Sequence, residues 1–133
     1  MSVAKGARGE NLSTVFTLSS KLLETVIKAA GNNRHFPNKL SRELGEQAVV
    51  QARIVMHSVH CAESAKEESE EARKDRDDAL RDAFKALDKL DAEITMNFLS
   101  FRLKAPKAGE ISDKITELRS KLTLWAKAVR CKG

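Results

Sequence analysis

The chain has no tyrosine, one tryptophan, two prolines, two cysteines and six glycines among its 133 residues. So few turn-forming residues exclude an all-β fold, which needs many tight turns. Two cysteines make no disulfide framework, and a reducing cytosol suits such a chain. No apolar run approaches the roughly 20 residues that span a bilayer, so no membrane partner is expected. The stretch Met1 to Glu10 has no apolar segment, so no signal peptide is expected either. Residues 1–11 are polar and basic and read as a disordered tail, which leaves 12–133 as one domain.

Catalytic patterns are also missing. There is no glycine-rich phosphate loop. Paired carboxylates occur only in a fully charged segment, where no apolar surround would raise a carboxyl pKa. No local motif holds a base against a serine or cysteine nucleophile. His57, His60 and Cys61 are close in sequence, but a closed zinc site takes four ligands and no second Cys/His pair is present. No enzyme activity, metal or cofactor is expected.

What the chain does have is helical periodicity. Between Gly45 and Pro106 there is neither glycine nor proline. As one helix that stretch would be about 90 Å long, too long for a domain of this size, so it must fold back on itself. With an apolar segment on either side, the chain reads as an all-α, antiparallel up-down-up-down four-helix bundle. The first helix is expected from Ser13, placed to cap it, to Ala30, with Gly31 ending it. Its apolar residues cover about half the wheel. Pro37 is placed to open the second helix. A break near Glu63–Lys66 fits the capping-box pattern Ser64-x-x-Glu67. The third helix then runs from about Ala65 to Leu103, with the stripe Leu80, Ala83, Phe84, Leu87, Leu90, Ile94, Phe98 and Phe101. A break as late as Lys74–Asp78 would lengthen both helices. Residues 104–109 read as a basic loop. The fourth helix starts near Ser112 with the seam Ile111, Ile115, Leu118, Leu122, Trp125 and Val129.

The second helix carries two stripes. Leu40, Leu44, Ala48, Ala52, Val55, Val59 and Ala62 form one, and Val50, Ile54, His57 and Cys61 form another. A helix apolar on two sides is covered on two sides. In a protein this small the second side predicts a homo-oligomer, with Leu124, off the fourth-helix seam, as a further interface residue. Cys61, within an apolar run, is also expected to behave as a small buried hydrophobe.

The charge is unevenly spread. Residues 63–82 hold nine acids and five bases, a net −4, so the rest of the chain carries +9 against a whole-chain +5. Such a surplus attracts polyanions. Arg34, Lys39 and Arg42 cluster between the first two helices, and Arg102, Lys104 and Lys107 between the last two. An up-down-up-down bundle puts both clusters at one end. Arg119, Lys121, Lys127, Arg130 and Lys132 extend the charge along the last helix. With no aromatic interleaving, backbone contacts to RNA or DNA are expected rather than base readout.

The segment Phe36-Pro37-Asn38-Lys39-Leu40-Ser41-Arg42 and the run Ile115-x-x-Leu118-x-x-x-Leu122-x-x-Trp125, followed by Lys127 and Arg130, carry a resemblance. They resemble the accessory variability determinant (Avd) proteins of diversity-generating retroelements, relatives of the four-helix bundle proteins encoded within bacterial 23S rRNA genes. Length, helix pattern and positive charge agree over nearly the whole chain. The resemblance implies a pentameric barrel of four-helix protomers. It also implies association with a reverse transcriptase and its template RNA in support of mutagenic cDNA synthesis, with Arg34, Lys39, Arg42, Lys127 and Arg130 as the matching residues. The acidic segment 63–82 departs from that pattern. The alternative is a structural bundle that docks a protein partner through the second face of the second helix.

Overall fold

The structure, a computed structural model, describes residues 13–32, 38–65, 69–100 and 103–132. The tail 1–11, Arg34, Pro37, Phe101 and Arg102 lie outside the described residues. Four helices and no strand occur among the described residues: α1 (Thr14–Ala30), α2 (Lys39–Ser64), α3 (Glu70–Leu99) and α4 (Ala105–Lys132). Each packs on two neighbours in a closed circuit, α1 on α2, α2 on α3, α3 on α4 and α4 on α1.

The first helix begins where a serine can satisfy its orphan donors. Ser13 Oγ accepts the Phe16 N–H at 3.0 Å. Its buried face, Val15, Ser19, Leu22, Val26 and Ala29, has helical spacing. Ser19 is fully buried and donates to the Phe16 carbonyl at 2.7 Å, so its hydroxyl is satisfied inside the core. Gly31 ends the helix with φ −81°, its N–H bonded to the Ile27 carbonyl. This is a right-handed cap and makes no use of glycine's access to the left-handed region.

Asn38 caps α2. Its side chain accepts the Ser41 N–H at 2.9 Å, and Ser41 Oγ accepts the Asn38 N–H at 3.2 Å, a reciprocal box. The face that α2 turns inward is made of small residues, Gly45, Ala48, Ala52 and Ala62, with Val55 and Val59. Ala79, Ala83 and Ala86 on α3 are buried as well. Small side chains let helix axes approach closely.

Three expectations from the sequence need correction. α2 ends inside the expected break Glu63–Lys66, but α3 begins at Glu70, five residues later than Ala65. Ser64 is the last residue of α2, where its hydroxyl donates back to the His60 carbonyl at 2.9 Å. Ser69 is the cap of α3 and accepts the Ala72 N–H at 3.1 Å, with Glu70 and Glu71 favourably placed in the first turn. Burial of Ala62 keeps α2 helical as far as Ser64, which is therefore a helix end and not a cap. Secondly, α4 starts at Ala105, so Lys104–Gly109 is not a loop. Lys104 supplies the carbonyl that accepts the Ala108 N–H at 2.9 Å, and Pro106 sits in the first turn, where no N–H is needed. Thirdly, the inward stripe of α3 runs Leu80, Ala83, Leu87, Leu90, Ile94 and then Asn97. Phe98 is 44% exposed.

Leu22, Leu87, Leu90, Ile111, Leu118 and Leu122 are the large fully buried side chains of the single core. Each contributes about 1.5–3 kcal/mol on burial. Trp125 is only half-buried, and Ala126 next to it is buried. No helix among the described residues is long and apolar enough to cross a membrane.

Candidate nucleic-acid interface

One small cavity, of about 10 Å³, locates the ends of the helices relative to one another. It is lined by Val26, Ala29 and Ala30 from the end of α1, Gly45 and Ala48 from the start of α2, Ile94 and Asn97 from the end of α3, Leu103, and Ile111 from the start of α4. The end of α1, the start of α2, the end of α3 and the start of α4 therefore lie together around it. Asn97 is completely buried there. Its Nδ2 donates to the Glu93 carbonyl at 2.6 Å, and its Oδ1 has no hydrogen-bond partner among the described residues. The space suits about one water at most.

Around this end the basic side chains divide into two kinds. Lys39 and Arg42, three residues apart on the first turn of α2, are exposed, and the Asn38–Ser41 box fixes the turn that carries them. Lys104 is exposed at the start of α4. None of these three has an ion-pair partner among the described residues. Lys107 differs, because its Nζ lies 2.6 Å from Glu110 Oε1. That hydrogen bond, with the charges of Lys107, Lys114 and Lys28, holds the Glu110 carboxyl below its ordinary range.

The neighbouring seam between α1 and α4 alternates in sign. Lys28 bonds Glu24 at 2.9 Å, which lowers the Glu24 carboxyl and raises the Lys28 ammonium. The charges of Lys114 and Lys21 act in the same direction on Glu24. Positive charge on this seam is thus partly matched by carboxylates, and less is left to attract a phosphate. Lys28 and Glu24 are largely exposed, so their pair adds little to stability.

Farther along α4, Arg119 reaches across to Asp88 of α3 at 2.7 Å. It ties the two helices together and is not a free cation. Lys121 and Lys127 are exposed. The side chains of Arg130 and Lys132 lie outside what is described, as do Arg34 and Arg102 entirely. Of the eleven basic residues picked out by the sequence, the structure places Lys39, Arg42 and Lys104 at one end and Lys121 and Lys127 along α4. It engages Lys107 and Arg119 in ion pairs.

The apolar stripe on the outside of α2 stands as the spacing implies. Val50 and Ile54 are 39% and 40% exposed, and His57 and Cys61 are exposed beside them. Leu124 on α4 is 59% exposed. Cys61 is therefore not a buried hydrophobe within the protomer. It is a free, exposed thiol with its Sγ 3.8 Å from the nearer His57 ring nitrogen, because positions 57 and 61 share the face opposite the core. His60 turns toward α1 and meets the Phe16 ring at a centroid distance of 6.0 Å. Among the described residues no group of three or more His, Cys, Asp or Glu side chains converges to hold a metal.

The sequence reading missed one surface. Met96, Phe98 and Leu99 at the end of α3 are exposed together, and Leu99 is 67% exposed. The signal was the spacing 80, 83, 87, 90, 94, which an inward position 97 continues as well as an inward position 98 does.

No protein-family model matches the chain, and comparison with the curated proteins finds no match.

Proposed function

We propose that this protein is a non-enzymatic, nucleic-acid-binding accessory of a reverse transcriptase in a diversity-generating retroelement, acting in the cytoplasm on template RNA and supporting mutagenic cDNA synthesis. In this reading the helices run up-down-up-down and the protomers assemble into a homo-oligomeric barrel, with five subunits on the family resemblance. The observation that carries the binding reading is the cavity shared by the end of α1, the start of α2, the end of α3 and the start of α4, with Lys39, Arg42 and Lys104 exposed on the adjoining residues. Three exposed cations near one another suit contacts to phosphates. The experiment is RNA binding by fluorescence anisotropy across a salt series. Reversing Arg34, Lys39 and Arg42 together should weaken binding roughly 10- to 100-fold at low salt and reduce the salt slope by about 2, at about 0.7 per single-strand phosphate contact. The oligomer should persist. Unchanged affinity would remove this end from the interface.

A second reading is favoured by the exposed stripe Val50, Ile54, His57 and Cys61. It makes the protein an interaction bundle that docks a protein partner through α2, its positive charge being ordinary surface. Ile54→Asp separates the two. In the first reading it breaks self-assembly, and in the second it spares the wild-type mass and abolishes partner binding.

A further inference from the structure

We infer that the oligomer is built head to tail, with the α1/α2 side of one copy seated on the α3/α4 side of the next. The inference rests on the homo-oligomer reading above and names the missing half of its interface. Because the helices pack in the circuit α1, α2, α3, α4, the α1/α2 side and the α3/α4 side face away from each other. Each bears an apolar groove. That on the first side, about 300 Å³, is lined by Phe16, Leu23, Arg53, Met56, His57 and His60. His57 joins this groove to the exposed stripe on α2.

On the opposite side two adjoining grooves of about 290 and 240 Å³ share Phe98, Leu99 and Ala105. Phe98 and Leu99 stand out from the end of α3 as apolar knobs, and the first groove offers Phe16, Leu23 and Met56 to receive them. The charges complement each other. The first groove carries one full cation, Arg53, with two imidazoles and no carboxylate. The larger of the opposite grooves carries Asp91 as its only charged lining residue, and Lys104 lies at the far end of the smaller one. Arg53 of one copy and Asp91 of the next make the match that commits these surfaces to a second copy of this chain. Two different patches on opposite sides cannot pair with themselves about a twofold axis. Their contact is heterologous and builds a ring when the rotation closes.

The test is charge exchange, read by light scattering coupled to size exclusion at low salt, with far-ultraviolet circular dichroism confirming that each variant is helical. Arg53→Glu and Asp91→Arg should each raise the dissociation midpoint concentration about tenfold, because each sets like charges against each other in every contact. The double variant restores opposite charges and should recover assembly. Leu99→Asp should dissociate the oligomer without loss of helix. If the single variants assemble as the wild type does while Ile54→Asp dissociates, the head-to-tail arrangement is wrong and the oligomer reading stands. A double variant no better than either single one overturns the Arg53–Asp91 contact. A wild type that stays monomeric at all concentrations overturns both.

Discussion

Replacing Gly109 with alanine should stabilise the protein by about 0.8–1 kcal/mol, the helix-propensity difference between the two residues. Gly109 is exposed, lies five residues inside α4, and a Cβ built on it meets no atom within 4 Å. Nothing has to move, and the substitution also lowers the entropy of the unfolded chain. For a chain of this length the gain corresponds to a rise in Tm of roughly 3–5 °C. It also corresponds to a shift of about 0.5 M in the urea midpoint, taking an m-value of about 2 kcal/mol/M. Thermal and urea unfolding followed by circular dichroism would show both. Gly31→Ala is the internal control. There a Cβ would sit 3.3 Å from the Ile27 carbonyl oxygen, tighter than an ordinary contact, so little or no gain is expected. If Gly109→Ala leaves the midpoint unchanged or lowers it, residue 109 is not in a helix. The fourth helix then starts near Ser112, and the placement of Lys107 on its first turn, with Lys104 just before it, fails as well.

Ser69→Ala should cost about 1 kcal/mol by removing the cap of α3, while Ser64→Ala, whose hydroxyl only bonds back to the His60 carbonyl, should be close to neutral; urea midpoints of the two variants decide where the α2–α3 break lies. Glu93 gives a pH dependence. Burial raises its carboxyl above the ordinary value of 4.5, and one of its oxygens is buried without a partner. The unfolded chain therefore ionises first as pH rises, so this group lowers stability progressively from 4.5 up to the folded value and by a constant amount above it. Glu93→Gln should be more stable than the wild type at neutral pH, with the advantage vanishing below the ordinary carboxylate range; equal stabilities at pH 7 would refute the burial argument.

Four helices were legible in the chain, because apolar spacing, capping serines and the long glycine- and proline-free run are local properties. The sequence also separated the two faces of α2, since Val50, Ile54, His57 and Cys61 lie across the wheel from Ala48, Ala52, Val55 and Val59. Packing between helices resolved what local signals left degenerate. Ser64 and Ser69 can both start a helix, but with Ala62 buried α2 runs as far as Ser64, and Ser69 is left to cap α3. A stripe that steps by three or four residues can end at Asn97 or Phe98. In the structure the hydrogen-bonded amide turned inward and the larger apolar ring was left on the surface. The same holds for charge. Lys107 and Arg119 look like free cations in one dimension, and each is engaged because a carboxylate comes within ion-pair distance, Glu110 from one turn on and Asp88 from another helix. Periodicity fixes which residues share a face. Only packing fixes which face is covered, by what, and which charges remain for a ligand.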